Sequence, residues 1–222
     1  MNEVIPGAAT EDDRDRPGHS AAFPPIDFYF DFLSPFGWIG AERIGAIARQ
    51  FGRDVAWHPF LLKATVIEAM GLKPLLETPL KGKYTAHDIR RSLRYHGLVL
   101  TAAPCFTFSS VAAARATLWA RALAPEKVEA LILALYRAQW SRGRDISQVD
   151  TILDIVADLG LPRSEAATAL GDAALKTALR EETAAAIDKG VFGSPTIIVD
   201  GEMFWGSDRL PMVEEWLETG GW

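Results

Sequence analysis

Ile26-Asp27-Phe28-Tyr29-Phe30-Asp31-Phe32-Leu33-Ser34-Pro35-Phe36-Gly37 is the stretch from which the fold can be read. Its first seven residues are dense in β-formers and read as a buried strand. Ser34-Pro35 then opens a helix, because Ser is a favoured N-cap and Pro fits the first helical turn. Phe36, Ile39, Ile44, Ile47 and Phe51 recur near helical spacing, and Gly52 supplies the stop. Residues 54–62 are short and apolar, which predicts a second strand. A strand-helix-strand unit of this kind closes with a right-handed crossover and parallel strands.

Working outward, residues 65–189 read as helical. Val128, Leu131, Ile132 and Leu135 recur at helical spacing, as do Val149, Ile152, Leu153 and Val156. Ser147 and Asp150 introduce the second group in a capping-box-like pattern, and Gly160 and Pro162 end it. Alanine is abundant and favours helix, and no fixed repeat is visible. Strands return at residues 195–200 and 202–205, joined through Asp200-Gly201, a strong hairpin signal. Gly206-Ser207-Asp208 opens a last helix through Val213, Trp216 and Leu217. The expected class is α/β: a thioredoxin-like sheet domain (residues 26–64 and 183–222) carrying a large all-helical insertion (residues 65–182). Residues 1–25 hold Glu11, Asp12, Asp13, Arg14, Asp15, Arg16 and four prolines without apolar period, and are expected to be a disordered tail.

The net charge of −6 and pI near 5.3 argue against nucleic acid as main partner. No apolar run is long enough for a membrane span. The chain's start lacks the basic-then-apolar pattern of a secretory signal, so the cytoplasm is the default expectation. One cysteine, Cys105, builds neither an intramolecular disulfide nor a dithiol centre. His19, His58, His87 and His96 show no metal-ligand spacing, so no metal is expected. A His96–Cys105 dyad has nothing in the sequence to orient it.

Three places carry candidate chemistry. At Ser34 a strand runs into a helix start, whose unpaired N–H groups and partial positive charge stabilise an anion such as a thiolate. A redox protein would place a low-pKa cysteine there. With Ser34 and Gly37 at the two positions, dithiol exchange is excluded. Taken alone, Ser34 reads as a plain N-cap. The second place is Gly190-Val191-Phe192-Gly193-Ser194-Pro195-Thr196, where Pro195 is either a cis-proline that leaves the Ser194 backbone open to an extended peptide or a strand-initiating proline. The third is Trp205-Gly206-Ser207-Asp208-Arg209, either a simple cap or a hydroxyl, N–H groups and a carboxylate arranged for a ligand.

In this order, these segments resemble the 2-hydroxychromene-2-carboxylate isomerases and the related kappa-class glutathione transferases. The resemblance runs from about Ile26 to the C-terminus. It also rests on Pro59-Phe60-Leu61-Leu62, on Pro79-Leu80-Lys81-Gly82-Lys83-Tyr84 with Asp88, on Trp140-Ser141-Arg142 with Asp145-Ile146, and on Asp200-Gly201-Glu202-Met203-Phe204-Trp205. It implies glutathione as cofactor, with Ser34 as the catalytic residue holding the sulfur as thiolate. Ser194 would pair by backbone with the cysteinyl unit beside cis-Pro195, Ser207 and Asp208 would bind the γ-glutamyl end, and Phe36 would flank the site. The chain departs from the family pattern in two places. Ser194 stands where an aliphatic residue is usual, and a lysine usual within residues 63–71 gives way to an acidic residue near Glu68, leaving Lys63 for the glycine carboxylate. Lys81, Tyr84 and Arg91, with Asp88, are either the face toward an aromatic carboxylate substrate or a solvated helix face. The resemblance implies isomerisation by reversible thiolate addition, and a homodimer. The competing expectations are a kappa-like transferase or peroxidase and a binding module without catalysis.

Overall fold

Strand β1 (Ile26–Phe30) lies inside the sheet, which explains why its sequence alternates so little: Ile26, Phe28, Tyr29 and Phe30 are all buried. The computed structural model describes residues 23–101 and 107–222. Of the tail expected over residues 1–25, residues 1–22 lie outside the described residues, as does Cys105. β1 pairs in parallel with β2 (Val55–Pro59), in register Ile26 to Val55 and Phe30 to Pro59. Helix α1 (Pro35–Gln50) connects them. β3 (Thr196–Val199) runs antiparallel on the other side of β1, and β4 (Glu202–Trp205) closes the order β2-β1-β3-β4. The Asp200-Gly201 turn has φ of +52° and +91°, the two positive values that a tight hairpin turn demands. Arg53 clamps the Asp200 carboxylate with both guanidinium nitrogens, tying this turn to the end of α1. The parallel pairing of β1 with β2 through α1 and the β3–β4 hairpin are those expected from sequence.

The helices that follow are α2 (Lys81–Tyr95), α3 (Val111–Leu123), α4 (Val128–Trp140), α5 (Val149–Asp158), α6 (Arg163–Gly171) and α7 (Ala173–Asp188), with α8 (Leu210–Thr219) after the hairpin. The core is continuous from sheet to insertion. Phe32 packs on Tyr136 with ring centroids 4.8 Å apart, and the Trp140 indole donates to the Phe32 carbonyl at 3.0 Å. α4 thus covers the end of β1, where Ser34 begins. No described helix is long and apolar enough to cross a membrane.

Two local expectations need correction. The insertion opens with a π-helical segment over Lys63–Ala69 and a 3-10 turn over Leu75–Glu77, and only then becomes α-helical. The capping box before α5 does not form, because Gln148 is the N-cap and the Ser147 hydroxyl and N–H both go to Asp145. Asp145 takes the Ser147 hydroxyl hydrogen and Gln148 Nε2 donates to its oxygen, so these local bonds turn the serine from the helix N–H groups.

A polar tie joins insertion to sheet on the far side of β2. His58 touches Glu182 at 2.7 Å and Asp27 at 3.0 Å, stacks on Tyr29, and Arg121 grips Glu182 through both terminal nitrogens while donating to the Trp57 carbonyl. Burial alone would raise the Glu182 pKa, but bonds and charge from Arg121 and His58 outweigh it and hold it at about 2, against an ordinary 4.5. A depressed carboxylate contributes stability that is complete above the unfolded value and lost as pH falls through the folded one. The urea midpoint should therefore drop as pH falls from 4.5 towards 2. With partial exposure screening the pair, Glu182 should account for about 1–2 kcal/mol of that loss. Glu182→Gln should flatten the acid slope by that amount; an unchanged slope would show that the tie contributes nothing.

Candidate active site

Ser34 does what an N-cap does and one thing more. Its Oγ accepts the Gly37 N–H at 3.0 Å, and it lies 2.7 Å from the Ser194 carbonyl oxygen. A carbonyl cannot donate, so the Ser34 hydrogen points at Ser194. The Ser194–Pro195 peptide is cis. Ser194 N–H has no acceptor among the described residues. The two segments, 160 residues apart in sequence, thus meet through one hydroxyl.

Around them is a closed ring of hydrogen bonds that sequence reading missed. Asp31 N–H donates to Ser194 Oγ at 3.1 Å, Ser194 Oγ bonds the Tyr136 phenol, and Tyr136 Oη donates back to the Asp31 carbonyl at 2.9 Å. Burial, then the nearby Asp31 charge, push the Tyr136 pKa well up, while the Ser194 bond opposes them, so the phenol keeps its proton to donate. The Asp31 side chain makes a second hub. Its carboxylate accepts Leu33 N–H at 3.0 Å and Leu62 N–H at 2.8 Å, with a further bond from the Ser110 hydroxyl. Burial raises its pKa, outweighing these donors and the Lys63 charge. One acidic residue thereby fixes the loop before Ser34, the start of the π-helical segment and the start of α3. Asp31 was visible as an acid inside an apolar run. Tyr136 carried no signal, because it sits in an ordinary apolar helical stripe.

Gly37 is required by this packing. A Cβ there would lie 2.6 Å from Tyr136 Oη and 2.7 Å from Ser194 Oγ. Gly37→Ala is expected to cost about 1–3 kcal/mol in denaturant unfolding, as overpacked cores do. Pairing it with Tyr136→Phe should recover part of that cost; strict additivity would mean the phenol is not the obstacle.

Ser34 opens onto a cavity of about 690 Å³. Phe36, Lys63, Ser194, Ser207 and Asp208 line it with Ser34, and Pro195 adjoins it through its cis bond to Ser194. The far wall is aliphatic, from Val66, Ile67, Met70, Leu72 and Leu75, and Phe192 and Trp205 stack edge-on beside the serines. Helix α2 contributes Thr85, Asp88, Ile89 and Ser92, and its C-cap His96 continues this stripe at steps of three and four. Lys81, Tyr84 and Arg91 are not on the lining. Tyr84 and Arg91 sit one residue off the stripe, about 100° around the helix, and Lys81 precedes the turn at which the stripe reaches the cavity. Arg91 is engaged with Asp88 and the Tyr84 hydroxyl instead. Lys73, which sequence reading did not single out, faces the cavity. So does His96, whose pKa is lowered by burial and by the Arg43 charge.

The site can therefore offer an extended ligand an open amide beside a cis-proline, a serine hydroxyl at a helix start, a hydroxyl-carboxylate pair at one end and lysines on the wall. The family of DSBA-like thioredoxin domains matches residues 25–218. The 2-hydroxychromene-2-carboxylate isomerase of Sphingobium xenophagum is 30% identical over 193 residues, covering 86% of this chain and 97% of that protein. Glutathione S-transferase kappa 1 of Homo sapiens is 29% identical, with 86% and 92% covered. A solved structure of a 2-hydroxychromene-2-carboxylate isomerase superposes with a TM-score of 0.77 at 27% identity, covering 87% of this chain and 94% of that one. With that extent of match, the chain belongs to the 2-hydroxychromene-2-carboxylate isomerase family of DSBA-like thioredoxin-fold proteins.

Proposed function

We propose that this protein is a glutathione-dependent isomerase of 2-hydroxychromene-2-carboxylate-like aromatic acids, of the kind that arise in naphthalene-type catabolism. The observation that carries the reading is the joint placement of Ser34, the open Ser194 N–H beside cis-Pro195, and Ser207-Asp208 on one apolar cavity. The residues fit the tripeptide. The Ser194 N–H has no acceptor among the described residues, as a strand-like partner requires. Ser207 and Asp208 suit the γ-glutamyl ammonium and carboxylate. Lys63, with Lys73 on the same wall, suits the glycine carboxylate.

When bound, glutathione supplies a thiolate nucleophile that adds to the conjugated substrate and later leaves, so no net oxidation or hydrolysis occurs. Ser34 would donate to the sulfur and favour its anionic form, helped by the N–H groups at the start of α1. The aliphatic wall would exclude water from the reacting bond. Mixing purified protein, reduced glutathione and the chromene carboxylate should change the substrate's ultraviolet spectrum towards the trans-configured hydroxybenzylidene pyruvate. An unchanged spectrum with active-site binding intact would sink the isomerase reading.

A transferase is the second reading, favoured by one observation: Lys81, Tyr84 and Arg91 do not line the cavity, so its walls are built for apolar electrophiles at least as well as for an aromatic acid. Conjugation of a chlorinated nitroaromatic without isomerase turnover would select it.

A further inference from the structure

The Ser34 hydroxyl is already committed before any ligand arrives. It donates to the Ser194 carbonyl at 2.7 Å while its lone pair accepts Gly37 N–H at 3.0 Å. One hydroxyl has one hydrogen. It cannot donate to a sulfur without leaving Ser194. Ser194 is a buried residue joined by a cis peptide to Pro195, and stripping its carbonyl of a donor without replacement costs desolvation of that oxygen. Ser194 N–H, by contrast, stands ready with no acceptor among the described residues.

We infer that Ser34 and Ser194 form a donor exchange that selects peptide thiols: the Ser34 hydroxyl turns from the Ser194 carbonyl to a sulfur only when a ligand amide N–H takes its place on that carbonyl. The inference rests on the glutathione reading of the site and adds to it a rule of specificity. A thiol lacking a flanking amide leaves the serine's hydrogen where it is, and so receives no hydrogen bond from Ser34. A tripeptide lacking a thiol displaces the hydrogen and gives it nowhere to go. The Asp31–Ser194–Tyr136 ring makes the exchange discrete, because it holds Ser194 through side chain and strand end while the carbonyl changes partner.

The decisive measurement is binding by calorimetry, on the full chain, of glutathione and of its analogue γ-glutamyl-α-aminobutyryl-glycine, in which a methyl replaces the thiol. Wild type should prefer glutathione strongly. Ser34→Ala should bind glutathione about 10- to 100-fold more weakly, since a hydrogen bond to a charged group is lost. The same variant should bind the methyl analogue about 3- to 10-fold more tightly than wild type, since no hydroxyl has to be displaced. Equal or weaker binding of the analogue by Ser34→Ala overturns the exchange while leaving the glutathione reading intact. Failure of wild type to bind either tripeptide overturns both.

Wild type alone provides a second measurement that does not depend on a variant's folding. Thiolate absorbance near 240 nm should show bound glutathione ionising at least tenfold more readily than free. A glutathione methylated on the cysteinyl amide nitrogen should bind with its thiol ionising as in solution. Equal thiolate formation in both would refute the requirement for an amide N–H.

Discussion

Ser34→Ala is expected to lower kcat/KM for the glutathione-dependent reaction by about 10- to 100-fold, with a rise in KM for glutathione. The range follows from a hydrogen bond to a charged atom, about 1.5–3 kcal/mol, at tenfold per 1.4 kcal/mol. Part of any effect could be structural, because Ser34 also caps α1 through Gly37 N–H. Losing a cap costs about 1 kcal/mol of stability, which a melting curve reads separately from turnover. The two roles also differ in pH dependence. A serine that favours the thiolate matters most below the ordinary thiol pKa of about 8.5, where the free thiol is protonated. The activity ratio of wild type to Ser34→Ala should therefore shrink as pH rises towards 10. A ratio that stays constant across pH, with a lower melting point, would reduce Ser34 to a cap.

How much of this site could be read in advance depends on which interactions carry it. Ser34-Pro35, Pro195 and Ser207-Asp208 are punctuation: a cap, a strand opener and a second cap, each with a local sequence signature. Their convergence followed from the order of elements, because β1 and β3 pair side by side and bring residues 34 and 194 together. The hairpin turn was equally legible, since Asp-Gly requires no tertiary information. What sequence left hidden is what only packing decides. Of the α2 face named from sequence, Asp88 lines the cavity, while Tyr84 and Arg91 lie off it as the solvated-face alternative has it; Ser92, also on the lining, was not singled out. A polar, amphipathic helix with many charges offers no local cue to which polar residue faces a cavity. Tyr136 was hidden for the opposite reason: its phenol is a single polar atom on an otherwise apolar face, and its partners Asp31 and Ser194 lie 105 and 58 residues away. Ser194 was expected to act through its backbone, and its side chain was noted only as a departure from the family; that side chain acquires a reason in the structure, because an aliphatic one there could neither accept Asp31 N–H nor bond Tyr136.

Asp31 should be the residue whose loss costs the fold most among those near the site. Three donors converge on its carboxylate: Leu33 N–H, Leu62 N–H and the Ser110 hydroxyl. Asp31→Ala leaves the two amides without that acceptor in a buried place, and each unsatisfied group costs about 1–3 kcal/mol. A total near 3–5 kcal/mol is expected in urea unfolding, a large part of the stability of an ordinary domain. Asp31→Asn should not rescue it. An amide places two hydrogens at one of the two positions that accept Leu33 and Leu62, so one donor then faces another. The conservative variant should thus lose about 2 kcal/mol or more, which an isosteric swap at an indifferent site would not. The functional trace should differ from that of Ser34. Because Leu62 precedes Lys63, loosening its amide frees the start of the π-helical segment that brings Lys63 to the cavity. Asp31→Asn, assayed where it remains folded, is therefore expected to raise KM for glutathione while changing kcat little. If kcat falls and KM holds, Asp31 acts on the reacting atoms through Ser34, and the carboxylate belongs to the chemistry more than to the scaffold.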